Sequence, residues 1–287
     1  MKKSLAGTAA AITFPTILPS SIFGKNSPNN KIRIAQIGCG RIARDMDLPG
    51  VLKHHNIAEI VAVCDLDSKR VADAKKLVDG YYAGKANAKS DVKVYEDFRE
   101  ILKDKSIDAV AISTPEHWHA EAMIAAALAG KDIYVQKPLA MTLREGRLVS
   151  DIIRKKKCAF QIGSQQRSST QFHLACELVR NGRIGALRKI EIGLPTDPSG
   201  AVEPDMPVPP NLNYDMWLGS TPQVPYTEKR VHPQNDYSRP GWLRIDAYSL
   251  GMITGWGSHH IDIAHWGMGT ESTGPVTLEG RSEFPKK

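Results

Sequence analysis

The sequence predicts an α/β protein that begins with a doubly wound parallel sheet, and three observations carry that prediction. Short β-branched runs alternate with helical patterns from Lys31 onward, a glycine turn (Gly38-Cys39-Gly40) follows the first run directly, and the alternation stops after Gly163. Such alternation is the signature of right-handed βαβ units.

Six runs read as strands: Lys31 to Ile37, Glu59 to Cys64, Val92 to Tyr95, Ile107 to Thr114, Asp132 to Gln136 and Cys158 to Ile162. They are nearly continuously apolar, as strands covered on both faces should be. Helices fill the gaps. Between Asp67 and Val78 a capping residue precedes Val71, Ala74 and Val78, a core-facing spacing of three and four. Ala120 to Leu128 and Leu143 to Ile153 follow the same rule. Pro49 falls where the helix after the glycine turn should still be running, so that helix is expected to be short or kinked.

The later part reads differently: a helix (Phe172 to Arg180), a strand (Leu187 to Gly193), an irregular stretch from Pro195 to Pro240 with ten of the 18 prolines, a helix (Ser258 to Trp266) and a strand from Val276 to Glu283. Irregular segments this long are usually binding loops, lids or contact arms. The expected division is a leader or linker over 1–30, a first domain over 31–162 and a second over 163–287, with the proline-rich arm at 195–240. The second domain reads as incomplete, because a sheet needs its remaining strands to bury a face. Further residues or another copy of the chain would complete it, and a homo-oligomer is expected.

With 41% hydrophobic and 24% charged residues the composition is that of a globular protein, and no apolar run reaches the roughly 18 residues a membrane helix needs. The formal charge of +7 includes Lys2, Lys3 and Lys25 in a leader without acids, and the remaining basic residues are scattered. That pattern favours small anionic ligands and argues against a nucleic-acid footprint or a membrane partner. Lys2-Lys3 followed by an apolar stretch from Leu5 to Leu18 has the layout of an export signal and resembles the tail of a twin-arginine leader. A periplasmic or exported protein is therefore expected, a cytoplasmic one being the alternative. Cys39, Cys64, Cys158 and Cys176 lack metal-binding spacing and read as buried hydrophobes, with a Cys39–Cys64 disulfide the less favoured option.

The glycine turn gives the first chemical expectation. Strand, G-C-G-R-I-A, then helix places Gly38 at the tight turn, Gly40 where backbone must approach a pyrophosphate, and Ala43 at close helix packing. Arg41 and Ile42 complete the loop as further candidate cofactor contacts. Asp65, at the end of the second strand, would accept hydrogen bonds from ribose hydroxyls and repel a 2′-phosphate, favouring NAD over NADP. Lys69 and Arg70 stand close enough to soften that choice.

Thr114-Pro115-Glu116-His117-Trp118-His119 closes the fourth strand and Gln136-Lys137-Pro138 the fifth, at the sheet end where ligands bind. Thr114, Pro115 and Gln136 are candidate cofactor contacts, and His119 a nicotinamide or substrate contact. A lysine beside a cofactor and an apolar sheet can have its proton affinity lowered enough for acid–base work.

With the Gly loop, the T-P-x-x-x-H turn, the Lys-Pro motif (usually E-K-P), Gly163-Ser164-Gln165-Gln166-Arg167 and Gly257-Ser258-His259-His260-Ile261-Asp262, the chain resembles the Gfo/Idh/MocA family of sugar and cyclitol oxidoreductases. The resemblance runs from Lys31 to the last residues. It implies a Rossmann domain followed by an α/β domain with a large, mostly antiparallel sheet. It makes Lys137 the catalytic lysine and His259 the histidine that shares proton transfer, while Gly255 stands where the family carries an aspartate. Asp262, three residues after His259, either replaces that charge or forms a structural ion pair. Arg167 is expected to bind substrate hydroxyls or sit in a salt bridge. His260 is a candidate substrate contact, whereas His265 reads as interfacial or core. Trp217 and Trp242 either stack on a sugar or anchor the arm, and anchoring is favoured.

The expected activity is NAD-dependent oxidation of a secondary hydroxyl of a sugar, glycoside or cyclitol. One alternative is glycoside cleavage through transient oxidation by retained NAD. Another is a non-catalytic NAD-bound sensor or an inactive fragment.

Overall fold

The computed structural model describes residues 31–85, 91–196, 203–281 and 283. The expected export leader lies outside the described residues.

Six parallel strands form one sheet in the order β3-β2-β1-β4-β5-β6, with β1 Ile32–Ile37, β2 Ala58–Cys64, β3 Lys93–Tyr95, β4 Ala109–Ile112, β5 Asp132–Val135 and β6 Phe160–Ile162. All six expected strands are present; β2 begins one residue earlier than expected, at Ala58, and the other five are shorter by one to four residues. The order reverses between β1 and β4, so a crevice opens beyond their carboxyl ends.

Helices cover both faces. On one, Leu48 and Leu52 of α1 (Leu48–Leu52) and Val71, Ala74 and Val78 of α2 (Ser68–Ala83) are buried with Ile60 and Val63. On the other, α3 (Phe98–Lys103), α4 (His119–Leu128) and α5 (Leu143–Lys156) cover Ile37, Val110, Ile112 and Val135. Four alanines of α4 are buried, and their small side chains let the helix lie close to the sheet. Asp67 caps α2 by accepting from Lys69 N at 2.8 Å. The interruption expected at Pro49 is a π-helical turn (Ala43–Asp47) before α1, which carries the proline in its first turn, where its missing N–H leaves no ladder bond broken.

In the second part, α6 (Thr170–Arg180) packs against α9 (Gly257–Met268), preceded by α8 (Met252–Gly255). The arm has its own small core of Leu212, Tyr214, Trp217, Leu218, Tyr226, Val231 and Tyr248, partly built on α7 (Tyr214–Leu218). It is fastened to the first domain by Asn213 N–H donating to Leu66 O (2.9 Å), Ser68 N–H to Asn211 O (2.8 Å), and His117 Nε2 and Trp118 Nε1 to Trp217 O (2.9 and 3.0 Å). Trp217 is an anchor.

Two of the expected strands are not formed among the described residues. The described residues contain no strand at 187–193 or in the 276–283 segment, and no second sheet; the one antiparallel pairing among them is an isolated bridge between Asp67 and Leu212. A strand needs a neighbour for its N–H and C=O groups, and here Val276 and Leu278 stand exposed beside no partner strand. The four cysteines are free; Cys39 Sγ lies 3.4 Å from Cys64 O, so these thiols meet backbone rather than each other.

Candidate active site

A cleft of about 770 Å³ opens at the carboxyl ends of β1, β4 and β5, roofed by the arm and by α8–α9. Gly38 is required by geometry: its φ is +83°, and a Cβ there would lie 2.7 Å from the carbonyl of Ser113 on the neighbouring strand end. At Gly40 a Cβ would meet nothing within 4 Å. That open space faces the cleft, where a diphosphate could approach the backbone and the start of the helical segment. Arg41, Ile42, Thr114 and Pro115 line the same cleft.

Asp65 also lines it. Its oxygens accept from Cys39 N–H (2.6 Å) and Asp67 N–H (2.9 Å), and a carboxylate has lone pairs left for ribose hydroxyls. Burial pushes its carboxyl above the ordinary range, and the two N–H donors oppose that rise. Arg41 Nε, Thr114 Oγ1, Gln166 Oε1 and His259 Nδ1 are buried in the cleft wall with no hydrogen-bond partner among the described residues. Unpaired buried polar atoms are costly, and these four, of nine among the described residues, fit a site completed by a polar ligand such as a dinucleotide.

Lys137 and His259 both line this cleft. Burial lowers the proton affinity of Lys137; Glu116 opposes that effect, and Arg239 and Arg41 add to it. Burial, then the nearby Lys137 charge, holds the His259 imidazole at about 4, leaving it neutral at neutral pH. Gly255 is also in the wall, and a Cβ there would meet nothing within 4 Å.

Several expected roles are corrected. Asp262 does not face Lys137: it accepts two bonds from Arg167, at 2.6 and 2.8 Å, while Arg167 Nη1 donates to Glu271 at 2.8 Å. Arg167 is therefore the salt-bridge residue of a smaller neighbouring hollow, its guanidinium spent on two carboxylates rather than on sugar hydroxyls. His260 does not line the cleft; its ring stacks on Trp256 at 5.6 Å. His119 is 1% exposed and part of the cleft wall, with Nδ1 2.7 Å from Pro138 O and Nε2 3.0 Å from Thr114 O, so its ring nitrogens are turned to backbone and leave only the rest of the ring for a bound ligand. It stitches the Thr114 and Lys137 turns together. Gln136 lines the cleft as expected, with its amide also donating to Asp47 at 2.8 Å and accepting from Gln165 at 3.1 Å.

Sequence reasoning missed three residues. Asp47 is a buried acid that accepts from Ser113 Oγ (2.6 Å) and Gln136 Nε2, tying the segment after the glycine turn to the Lys137 turn. Its signal was Gln136 in place of the usual glutamate of the Lys-Pro motif. Tyr237, on the arm, lies under the guanidinium groups of Arg44 (4.3 Å) and Arg70 (3.9 Å), with its hydroxyl donating to Asp73 at 3.0 Å. Arg70 also donates to Pro233 O and Asp236 O, so the arm closes the Asp65 end of the cleft. No local pattern announces that pairing. The third is Glu116, 3% exposed in the cleft wall, with Oε2 accepting from Leu250 N–H at 3.3 Å.

Comparison with known proteins agrees with this architecture. Residues 32–164 match the family model described as "Oxidoreductase family, NAD-binding Rossmann fold", and residues 199–284 its companion, "Oxidoreductase family, C-terminal alpha/beta domain". Similar curated proteins include the levoglucosan dehydrogenase of Pseudarthrobacter phenanthrenivorans, 38% identical over 91 residues (32% of this chain, 23% of that protein). The scyllo-inositol 2-dehydrogenase (NAD(+)) of Bacillus subtilis is 37% identical over 90 residues (31% and 26%). A solved scyllo-inositol dehydrogenase from Lactobacillus casei, with bound NAD(H) and scyllo-inositol, is 25% identical with a TM-score of 0.44, covering 54% of this chain and 42% of that one. The chain spans less than half the length of these relatives. On the two family matches, it belongs to the Gfo/Idh/MocA family of oxidoreductases, with the NAD-binding Rossmann domain at residues 32–164.

Proposed function

We propose that this protein is an NAD-dependent oxidoreductase that oxidises a secondary hydroxyl of a sugar, glycoside or cyclitol, with Lys137 removing the hydroxyl proton. The observation that carries the reading is Lys137 itself, half-buried at the sheet's carboxyl end in the same cleft as the glycine turn, with its proton affinity lowered by burial. When bound, NAD supplies the acceptor for the hydride that leaves the carbinol carbon. The depressed affinity of Lys137 raises the share of neutral amine at a given pH, and that form accepts the proton. His259, neutral and with Nδ1 unpartnered, can hydrogen-bond the reacting hydroxyl and orient it towards Lys137. The names of the levoglucosan and inositol dehydrogenases support the substrate class.

NAD is favoured over NADP because the Asp65 carboxylate would face a 2′-phosphate, and because Arg70 is held by the carbonyls of Pro233 and Asp236 and by the Tyr237 ring. The same arm contacts favour a second reading, in which the cofactor is retained and a glycoside is transiently oxidised, loses its aglycone and regains the hydride. The leader-like composition of residues 1–30 supports export of such a protein. The test is to release and identify the cofactor from the purified full chain, then to screen polyols and glycosides for both NADH and aglycone. NADH accumulation supports the dehydrogenase, aglycone without NADH the second reading, and neither product from any substrate would refute both.

A further inference from the structure

We propose that Glu116 is the acid that balances the charge of Lys137, taking over the electrostatic role that Gly255 leaves unfilled. The importance of this pairing for turnover rests on the proton-transfer role proposed for Lys137.

The placement follows from the sheet. β4 and β5 are adjacent and in register, Ile112 opposite Val135, with Gln136 N–H donating to Ile112 O at 2.9 Å. The turns leaving these strands, one carrying Glu116 and the other Lys137, therefore emerge side by side. His119 ties them, lying 3.0 Å from Thr114 O and 2.7 Å from Pro138 O. Both Glu116 and Lys137 line the cleft. Leu250 N–H reaches Glu116 Oε2 at 3.3 Å, so the same carboxylate also holds the segment that leads into Gly255 and His259.

A carboxylate that is 3% exposed stays ionised only if cations and donors replace its water. The lysine and arginines that line the cleft with it are Arg41, Arg70, Lys137 and Arg239, and the charge of Glu116 acts on Lys137. The charged and titratable groups acting on Lys137 or acted on by it are Glu116, Arg239, Arg41, His119 and His259, and among these Glu116 is the acid. On the opposite wall a Cβ at Gly255 would meet no atom beyond its own helix and chain neighbours within 4 Å, and α8, Met-Ile-Thr-Gly, carries no acid.

In the proposed reaction the hydroxyl O–H bond breaks, an N–H bond forms on the neutral Lys137 amine, and the resulting ammonium stands against the Glu116 carboxylate. Glu116 gains no proton. It acts through Lys137 as a positioning residue, and its removal should make Lys137 a weaker proton acceptor and leave more of it neutral.

Reductive methylation reads this without any substrate, because only the neutral amine reacts. In the purified full chain, the labelling rate of Lys137 at a fixed near-neutral pH should rise roughly fivefold or more in E116Q, since an adjacent opposite charge commonly moves a titration by a tenfold factor or more. The pH at which the rate levels off should fall as well; a mere change of access would scale the rate equally at every pH. E116Q/G255D, with a carboxylate returned from the other wall, should label at close to the wild-type rate. E116D should lie between wild type and E116Q, and it provides the test if thermal melting shows E116Q unfolded. A folded E116Q, or failing that a folded E116D, with the wild-type rate and pH profile overturns the proposal. Undiminished turnover in K137A would instead overturn the reaction and leave the labelling result standing, so the two failures are distinguishable.

Discussion

Gly38 and Gly40 stand two residues apart in one loop, yet replacing each with alanine should fail in different ways. At Gly38 the backbone φ is +83°, and the new methyl would sit 2.7 Å from the carbonyl carbon and oxygen of Ser113. The left-handed conformation alone costs roughly 1–2 kcal/mol for a residue with a Cβ. Ser113 is backbone at the end of β4 and cannot swing aside, so the total should be on the order of 2–4 kcal/mol. For a protein of this size that corresponds to a fall in Tm of about 5–15 °C. At Gly40 the methyl meets nothing within 4 Å and the φ is ordinary, so G40A should melt within about 2 °C of wild type. The methyl would occupy the space a diphosphate needs, and NADH affinity should fall by about tenfold or more, ~1.4 kcal/mol. Thermal melting paired with NADH fluorescence titration measures both effects. A G40A protein that binds NADH as wild type does, or that loses as much stability as G38A, would refute the assignment of this loop.

Three further outcomes follow from the contacts. Burial would push the Asp67 carboxyl up, but hydrogen bonds from His232 and Asn211 hold it at about 2, below its unfolded value near 3.8. A depressed carboxylate stabilises the fold above its unfolded pKa and loses that contribution as pH falls through the folded one. D67N should therefore be less stable than wild type by about 2 kcal/mol at neutral pH, with the gap closing between roughly pH 4 and pH 2 in paired melts. D262A removes the bidentate partner of a part-exposed Arg167 and should cost roughly 1 kcal/mol of stability while leaving NADH affinity within about twofold; a large loss of binding would restore Asp262 to the cofactor site. Y237A removes the ring that Arg44 and Arg70 stack on, leaving Arg70 tied to the arm only through the Pro233 and Asp236 carbonyls, and should speed NADH release, on the order of tenfold in stopped-flow displacement, whereas an unchanged rate would mean that the ring does not help hold the cofactor.

What the sequence made legible was what neighbours along the chain determine. Strands β1 to β6 were readable because each is a compact β-branched run between helical spacings, and Gly38, Asp65 and Lys137 because each ends a strand. The Arg167–Asp262 pair was not readable, since its partners lie 95 residues apart and no spacing rule joins them. Glu116 was overshadowed within its turn: three aromatic rings drew the chemical reading, and only burial shows the acid as part of the cleft wall and turns the His119 nitrogens to backbone carbonyls. The runs at 187–193 and 276–283 alternate as strands do, yet alternation supplies only a face, and the described residues offer neither run an edge to pair with. Tyr237 gave no signal because its role depends on where a long proline-rich arm lands.

Lys137 is the proton acceptor in the proposed NAD-linked oxidation. The measurement that bears on it most directly is turnover of wild type and K137A, side by side, on the first polyol or glycoside that the wild type consumes. K137A should lose at least ~10²-fold in kcat/KM with NADH binding retained. Undiminished turnover in a folded K137A would contradict it.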